Sequence, residues 1–137
     1  MAKISKAELV AAALRARTRA VAPYSKFKVG AALLTGTGEI ITGANVESAS
    51  YGLTCCAERV ALFNALTNGK KKFVAIAIAA QVPAGPMPCG ACRQLLAEYA
   101  PAARVWVADS RWPRKIREFW VRDLLPAPFV KVPRPSV

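Results

Sequence analysis

An unbroken apolar run, Phe73 to Ala80 (FVAIAIAA), is short and rich in β-branched residues, and it predicts a strand covered on both faces. Elsewhere the apolar positions recur with a period. Ser5-Lys6-Ala7-Glu8 has the spacing of a capping box and opens an alanine-rich stretch to about Ala20. Leu9, Ala13 and Leu14 share one face there, which predicts an amphipathic helix stopped by Pro23. Lys28 to Thr35 predicts a strand, Gly36-Thr37-Gly38 a hairpin turn, and Glu39 to Asn45 the returning strand. Residues 46–54 show no period and read as a loop. Within Cys56 to Asn68, Val60, Leu62, Phe63 and Leu66 fall at helical spacing, with Gly69 as the stop signal. Prolines 83, 86 and 88 and Gly85 make 81–88 a loop. Gly90 to Tyr99 then reads as a helix, Arg104 to Ala108 as a strand, Ile116 to Val121 as a fifth strand and Arg122 to Leu125 as a short helical turn. A helix between two strands implies a parallel crossover. The predicted fold is α/β, a three-layer α/β/α sandwich around one mixed five-stranded sheet.

A chain of 137 residues is expected to form one domain over 1–137, with 130–137 as a loose C-terminal tail. Apolar residues make up 54% and charged residues 20%, which excludes a disordered chain. No stretch reaches the roughly 18 apolar residues of a membrane span, and residues 1–20 lack the apolar core of a secretory signal. A cytoplasmic location is therefore expected, where the 4 cysteines are metal ligands or reduced thiols rather than disulfides. The absence of histidine excludes Ser-His-Asp and Cys-His catalysis within one chain and every zinc site built on imidazole.

Lysine and arginine total 20 against 8 acids, for a net charge of +12. Such a charge favours anionic partners without specifying one. The basic residues are spread along the chain, so a solvated surface is the simpler reading. The segment Arg111 to Trp120 interleaves basic and aromatic residues, a pattern that suits single-stranded nucleic acid, and this stays as a minor alternative.

The candidate chemistry sits at two predicted helix starts. Cys56-Ala57-Glu58 opens one, and Pro88-Cys89-Gly90-Ala91-Cys92 opens the other. C-x-x-C at a helix start puts two sulfurs one turn apart on one face, and the helix dipole favours their thiolate forms. With the two helix starts side by side, Cys56 adds a third thiolate. Three protein ligands leave the fourth tetrahedral position open, the mark of a catalytic zinc. Cys55 is the other candidate ligand, but neighbours at a helix start diverge by about 100°, so Cys55 and Cys56 are not expected to face one metal. Glu58 can take a proton from water and deliver it to a substrate. A first-turn acid that only complements the dipole would leave the flanking motifs without purpose. Arg59 is placed to donate to a ligand sulfur and offset the thiolates' negative charge, against the plainer reading of a solvated arginine. A redox pair would not explain C-A-E, and a zinc ribbon needs a second C-x-x-C.

Taken together, C-A-E…P-C-x-x-C, the segments Tyr24 to Leu33 and Gly43 to Gly52, Cys56 to Arg59, Pro88 to Gln94, and Leu124 to Phe129 resemble the small homotetrameric zinc-dependent cytidine deaminases, over about residues 5–130. The resemblance implies one Zn2+ per chain on Cys56, Cys89 and Cys92, with Glu58 shuttling protons. It also implies that Phe27 packs on the pyrimidine, that Asn45 and Glu47 bond the ribose hydroxyls, and that the backbone at Ala57 contacts the base. Tyr51 and Phe129 would reach a neighbouring subunit's site, so active sites would be shared within a homotetramer. The implied reaction is hydrolytic deamination of cytidine and deoxycytidine to uridine and deoxyuridine, releasing ammonia, in pyrimidine salvage. The alternatives are a sister aminohydrolase on a modified cytosine nucleoside, a nucleic-acid cytosine deaminase and a non-catalytic zinc module. The family pattern does not account for the +12 charge, Cys55 or segment 111–120.

Overall fold

A computed structural model describes residues 3–133. Helix α1 (Lys6–Arg17) starts where the Ser5 side chain accepts the Glu8 backbone N–H at 3.1 Å. It ends at Arg17, short of the expected Ala20. Thr18, Arg19 and Ala20 donate to the carbonyls of Arg15, Ala16 and Arg17, so the chain tightens to i→i−3 bonds before Pro23 is reached. The remaining elements are β1 (Val29–Thr35), β2 (Ile40–Ala44), α2 (Ala57–Thr67), β3 (Phe73–Ala80), α3 (Gly90–Tyr99), β4 (Arg104–Asp109), β5 (Ile116–Trp120) and α4 (Val121–Leu124). Residues 46–54 hold one short 3-10 turn, Tyr51–Leu53. Of the expected C-terminal tail, 130–133 are exposed and lack regular structure, while 134–137 lie outside the described residues.

The five strands form one mixed sheet in the order β2-β1-β3-β4-β5. β3 and β4 are parallel, and the other neighbours are antiparallel. α2 links β2 to β3 across β1, and α3 links β3 to β4. Both crossovers fall on one face, where Ala61, Leu62, Ala65 and Leu96 pack on Leu33, Ile76, Ile78, Val105 and Val107. The other face carries α1, whose Leu9, Val10, Ala12 and Ala13 cover a floor of Ala32, Ala75, Ala77 and Ala79. The predicted three-layer α/β/α sandwich is what forms. β1 is buried along its whole length, like most of β3, because both strands lie between the helical layers.

Two glycines set how closely the layers approach. A Cβ at Gly30 would lie 1.9 Å from the Ala13 carbonyl oxygen, and one at Gly43 would lie 2.4 Å from the Ala61 nitrogen. Any side chain there would push α1 off β1 or α2 off β2.

The register gathers the functional segments at one end of the sheet. Val29 pairs with Ala80, Gly30 with Ala44, and Ala80 with Asp109. The start of β1 therefore meets the carboxyl ends of β2, β3 and β4, the side of an open α/β sheet where ligands bind.

Candidate active site

At that end the chain turns into α2 and α3, and Cys56 and Cys89 are their N-cap residues. Cys92 follows in the first turn of α3 and is buried. The three Sγ atoms lie within 4.8 Å of one another, with Cys56 3.8 Å from Cys89 and Cys89 3.5 Å from Cys92. Cys55 stays out of this cluster. Its backbone bonds Val46 in both directions, as an isolated bridge, and its thiol is not among the three converging sulfurs.

The donors fit a soft divalent metal. Hydrogen bonding within the cluster, from Cys92 first and then from Arg59 and Cys89, brings the Cys56 thiol down to about 5. Cys92 is shifted the other way, held as a thiol by its bond to Cys56 and by burial. Zinc binds cysteine sulfurs as thiolates, so metal binding at this cluster is coupled to proton release. Arg59 donates through Nη2 to Cys56 Sγ at 3.5 Å and to the Thr54 carbonyl at 3.2 Å. The thiolate raises the guanidinium's affinity for its proton.

Glu58 lies in the first turn of α2 at only 5% exposure. Burial pushes its carboxyl up to about 7, so it can hold or release a proton near neutrality. It lines a pocket of about 280 Å³ with Phe27, Asn45, Glu47, Cys56, Ala57 and Cys89, residues singled out from sequence. Val29, Thr54, Pro86 and Met87 complete the wall.

Asn45 and Glu47 turn out to hold the pocket's own backbone. Asn45 Oδ1 accepts the Val29 N–H at 2.9 Å, and Nδ2 donates to the Phe27 carbonyl at 2.8 Å. Glu47 Oε1 accepts the Tyr24 and Ser25 N–H groups, both at 3.0 Å, and Oε2 accepts the Ser25 hydroxyl. That hydroxyl bond, more than any other, holds the Glu47 carboxyl below the usual range. Between these anchors Lys26 adopts a left-handed φ of 62°, which aims the following Phe27 at the pocket.

Two expected residues stand apart. Tyr51 is 80% exposed and borders a neighbouring hollow of about 390 Å³, which shares Glu47 and Thr54 with the pocket but holds no metal-ligating sulfur. Phe129 is 64% exposed and borders neither hollow. Its backbone is nevertheless held. Gln94 Nε2 donates to the Phe129 carbonyl, and Arg93 ties Pro88 O at 2.8 Å to Leu124 O at 3.0 Å.

Ser25, Thr54, Arg93 and Gln94 were not assigned positioning roles from sequence. Ser25, Arg93 and Gln94 lie inside the motif segments, and their role depends on partners 22 to 35 residues away. Pro86 and Met87 gave no signal beyond their loop. That loop is seated on β4 so tightly that a Cβ at Gly85 would lie 2.8 Å from Ala108 N.

The profile of the cytidine and deoxycytidylate deaminase zinc-binding region matches residues 3–108. The chain belongs to that family. A cytidine deaminase of Halalkalibacterium halodurans is 49% identical over 88% of this chain and 91% of its own length. A cytidine deaminase crystal structure from Burkholderia pseudomallei superposes with a TM-score of 0.84 at 47% identity, covering 88% of this chain and 96% of that one. A blasticidin-S deaminase of Bacillus cereus is 33% identical over 78% of this chain and 80% of its own. Zinc is the metal of this deaminase family, and the three-thiol cluster is its site in this chain. Among the described residues no helix is long and apolar enough to cross a membrane.

Proposed function

We propose that the chain catalyses hydrolytic deamination of cytidine and deoxycytidine to uridine and deoxyuridine, with release of ammonia. The observation that carries this reading is Glu58: a buried carboxyl beside three converging thiols, on the wall of a pocket sized for a small ligand. The cytidine deaminases similar over most of the chain support the substrate class.

Bound by Cys56, Cys89 and Cys92, zinc supplies the Lewis acidity that makes water a nucleophile at neutral pH. Glu58 takes the first proton from that water and delivers it to ring N3 as the oxygen bonds to C4. It then takes the second proton from the same oxygen and passes it to the exocyclic amine. The C4–N bond breaks, ammonia leaves and the C4 carbonyl remains. Phe27 offers a ring face to the pyrimidine. Asn45 and Glu47, with their free lone pairs and the second amide proton, face the ribose hydroxyls. The Ala57 backbone meets the base. Tyr51 and Phe129 complete the pocket of a neighbouring subunit in a homotetramer, which would cover their exposed rings. A role in cytoplasmic pyrimidine salvage accords with four free cysteines and a free-nucleoside substrate.

Similarity to the blasticidin-S deaminase favours a second reading, a modified cytosine nucleoside as substrate. The test is product analysis with cytidine, deoxycytidine, cytosine, CMP, a modified cytosine nucleoside and a single-stranded oligonucleotide, with and without a chelator. Uridine and deoxyuridine formed only without chelator are expected. Turnover confined to the modified nucleoside would install the second reading.

A further inference from the structure

We propose that the β4–β5 hairpin is a docking surface for single-stranded nucleic acid, separate from the deaminase pocket. The turn 110–115 presents Arg111, Trp112, Arg114 and Lys115 to solvent. Trp112 is 61% exposed, and Lys115 Nζ sits 5.9 Å from its ring centre. Beyond the turn, Arg117 lies 5.1 Å over Phe119.

Both acids of the hairpin itself are already engaged. Asp109 pairs with Arg111 at 2.6 Å, and Glu118 with Lys6 at 3.0 Å and Arg104 at 3.8 Å. Arg114 and Lys115 have no acidic partner among the described residues. These cations are left to the solvent or to a ligand's phosphates.

The turn is also rigid. Buried Asp109 takes both the Arg111 backbone N–H and its guanidinium, and Trp112 N and Lys115 N are bonded within the turn. A surface held in shape loses little entropy when it binds. Cations interleaved with an exposed flat ring bind phosphates and stack unpaired bases at once, which a paired duplex cannot exploit.

The hairpin lies at the same end of the sheet as the pocket. Ala108 pairs with Ile116 there, Ser110 N donates to Ala80 O at 2.9 Å, and Arg117 bonds the Ala84 carbonyl of the loop that carries Pro86 and Met87. β5 is three strand positions from β1, roughly 14 Å at ordinary strand spacing. A strand held on Trp112 therefore lies beside the pocket and leaves it open to free nucleosides.

The test is fluorescence anisotropy of labelled oligo(dT), and of a duplex of equal length, titrated with the whole protein over a salt series. Oligo(dT) is expected to bind more tightly than duplex, with affinity falling as salt rises. Arg114→Ala/Lys115→Ala should weaken binding about tenfold or more and reduce the logarithmic salt slope by about 1–2. Trp112→Ala should weaken it about tenfold with the slope unchanged. Lys71→Ala/Lys72→Ala removes the same charge from exposed positions at the opposite end of the sheet, and should stay within about twofold. Cytidine turnover should be unchanged in all three variants. An equal loss in the Lys71/Lys72 variant would reduce the effect to undirected charge. Equal affinity for duplex, no effect of Trp112→Ala, or no binding at physiological salt would each overturn the proposal, and none of them would touch the deaminase reading.

Discussion

Glu58 and Cys92 are almost wholly buried in the first turns of α2 and α3, whereas Tyr51 and Phe129, assigned by the family resemblance to the same reaction, stand in solvent. The first wall rests on helices packed against the sheet, and its groups converge within one chain. The second rests on loops. Loop 24–27 is held by Asn45 and Glu47 and the C-terminal segment by Arg93 and Gln94, while the rings of Tyr51 and Phe129 stay exposed. Proton transfer needs groups fixed to a fraction of an ångström, which helix starts provide. Substrate enclosure needs only apolar area, which a second chain can supply.

The most severe way to break the helical wall is Glu58→Gln. It should leave about one zinc per chain and lower turnover by about three orders of magnitude or more, since both proton transfers go. Metal analysis alongside steady-state kinetics checks it, and near-normal turnover would remove Glu58 from the reaction.

The loop wall should break more gently. Phe129→Ala is expected to cost about 1–3 kcal/mol in kcat/KM. Mixing makes the comparison sharper. Glu58→Ala chains lack the proton carrier but keep Phe129, and Phe129→Ala chains are the reverse. Co-refolded, they should exceed the summed activity of the pure mutants. Activity that merely averages, in oligomers shown to be mixed, would place Phe129 within its own chain.

Glu47→Ala should lower cytidine turnover about tenfold, because it unpins loop 24–27 and removes a polar partner for the ribose. 3′-Deoxycytidine separates the two effects. A much smaller loss on that substrate marks direct contact, and equal losses leave Glu47 as an anchor only.

Asp109→Asn, away from both walls, should have the smallest effect. Its bond to Arg111 depresses the carboxyl's pKa in the folded chain, so the native state favours the charged form. That stability is present above the ordinary aspartate value of about 3.9 and is lost as pH falls below it toward the depressed native value. Chemical denaturation of wild type and variant should therefore differ at neutral pH and converge in acid, with cytidine turnover unchanged.

Much of this architecture is visible in local pattern. β3 and α3 run from Phe73 to Ala80 and from Gly90 to Tyr99, the limits predicted from apolar runs and from punctuation by proline and glycine. Cys89 and Cys92 are three residues apart at a helix start, so their convergence follows from helix geometry alone. The end of α1 was less legible, because a gradual tightening of the last turn leaves no composition signal.

Period tells which face of an element is apolar, but not which neighbour covers it, and that limit divides the remaining features. Cys56 joins Cys89 only because α2 and α3 start side by side on one face of the sheet, an outcome of strand order and crossover hand. Gly30 and Gly43 look like ordinary strand glycines until a helix backbone is seen where a Cβ would be. Glu47 reads in the sequence as a ligand-binding acid, and only the fold adds that Tyr24 and Ser25 donate to it across 22 residues and more of chain. Local hydrogen bonding and the hydrophobic period are written residue by residue, whereas long-range pairing exists only after the chain has closed its loops.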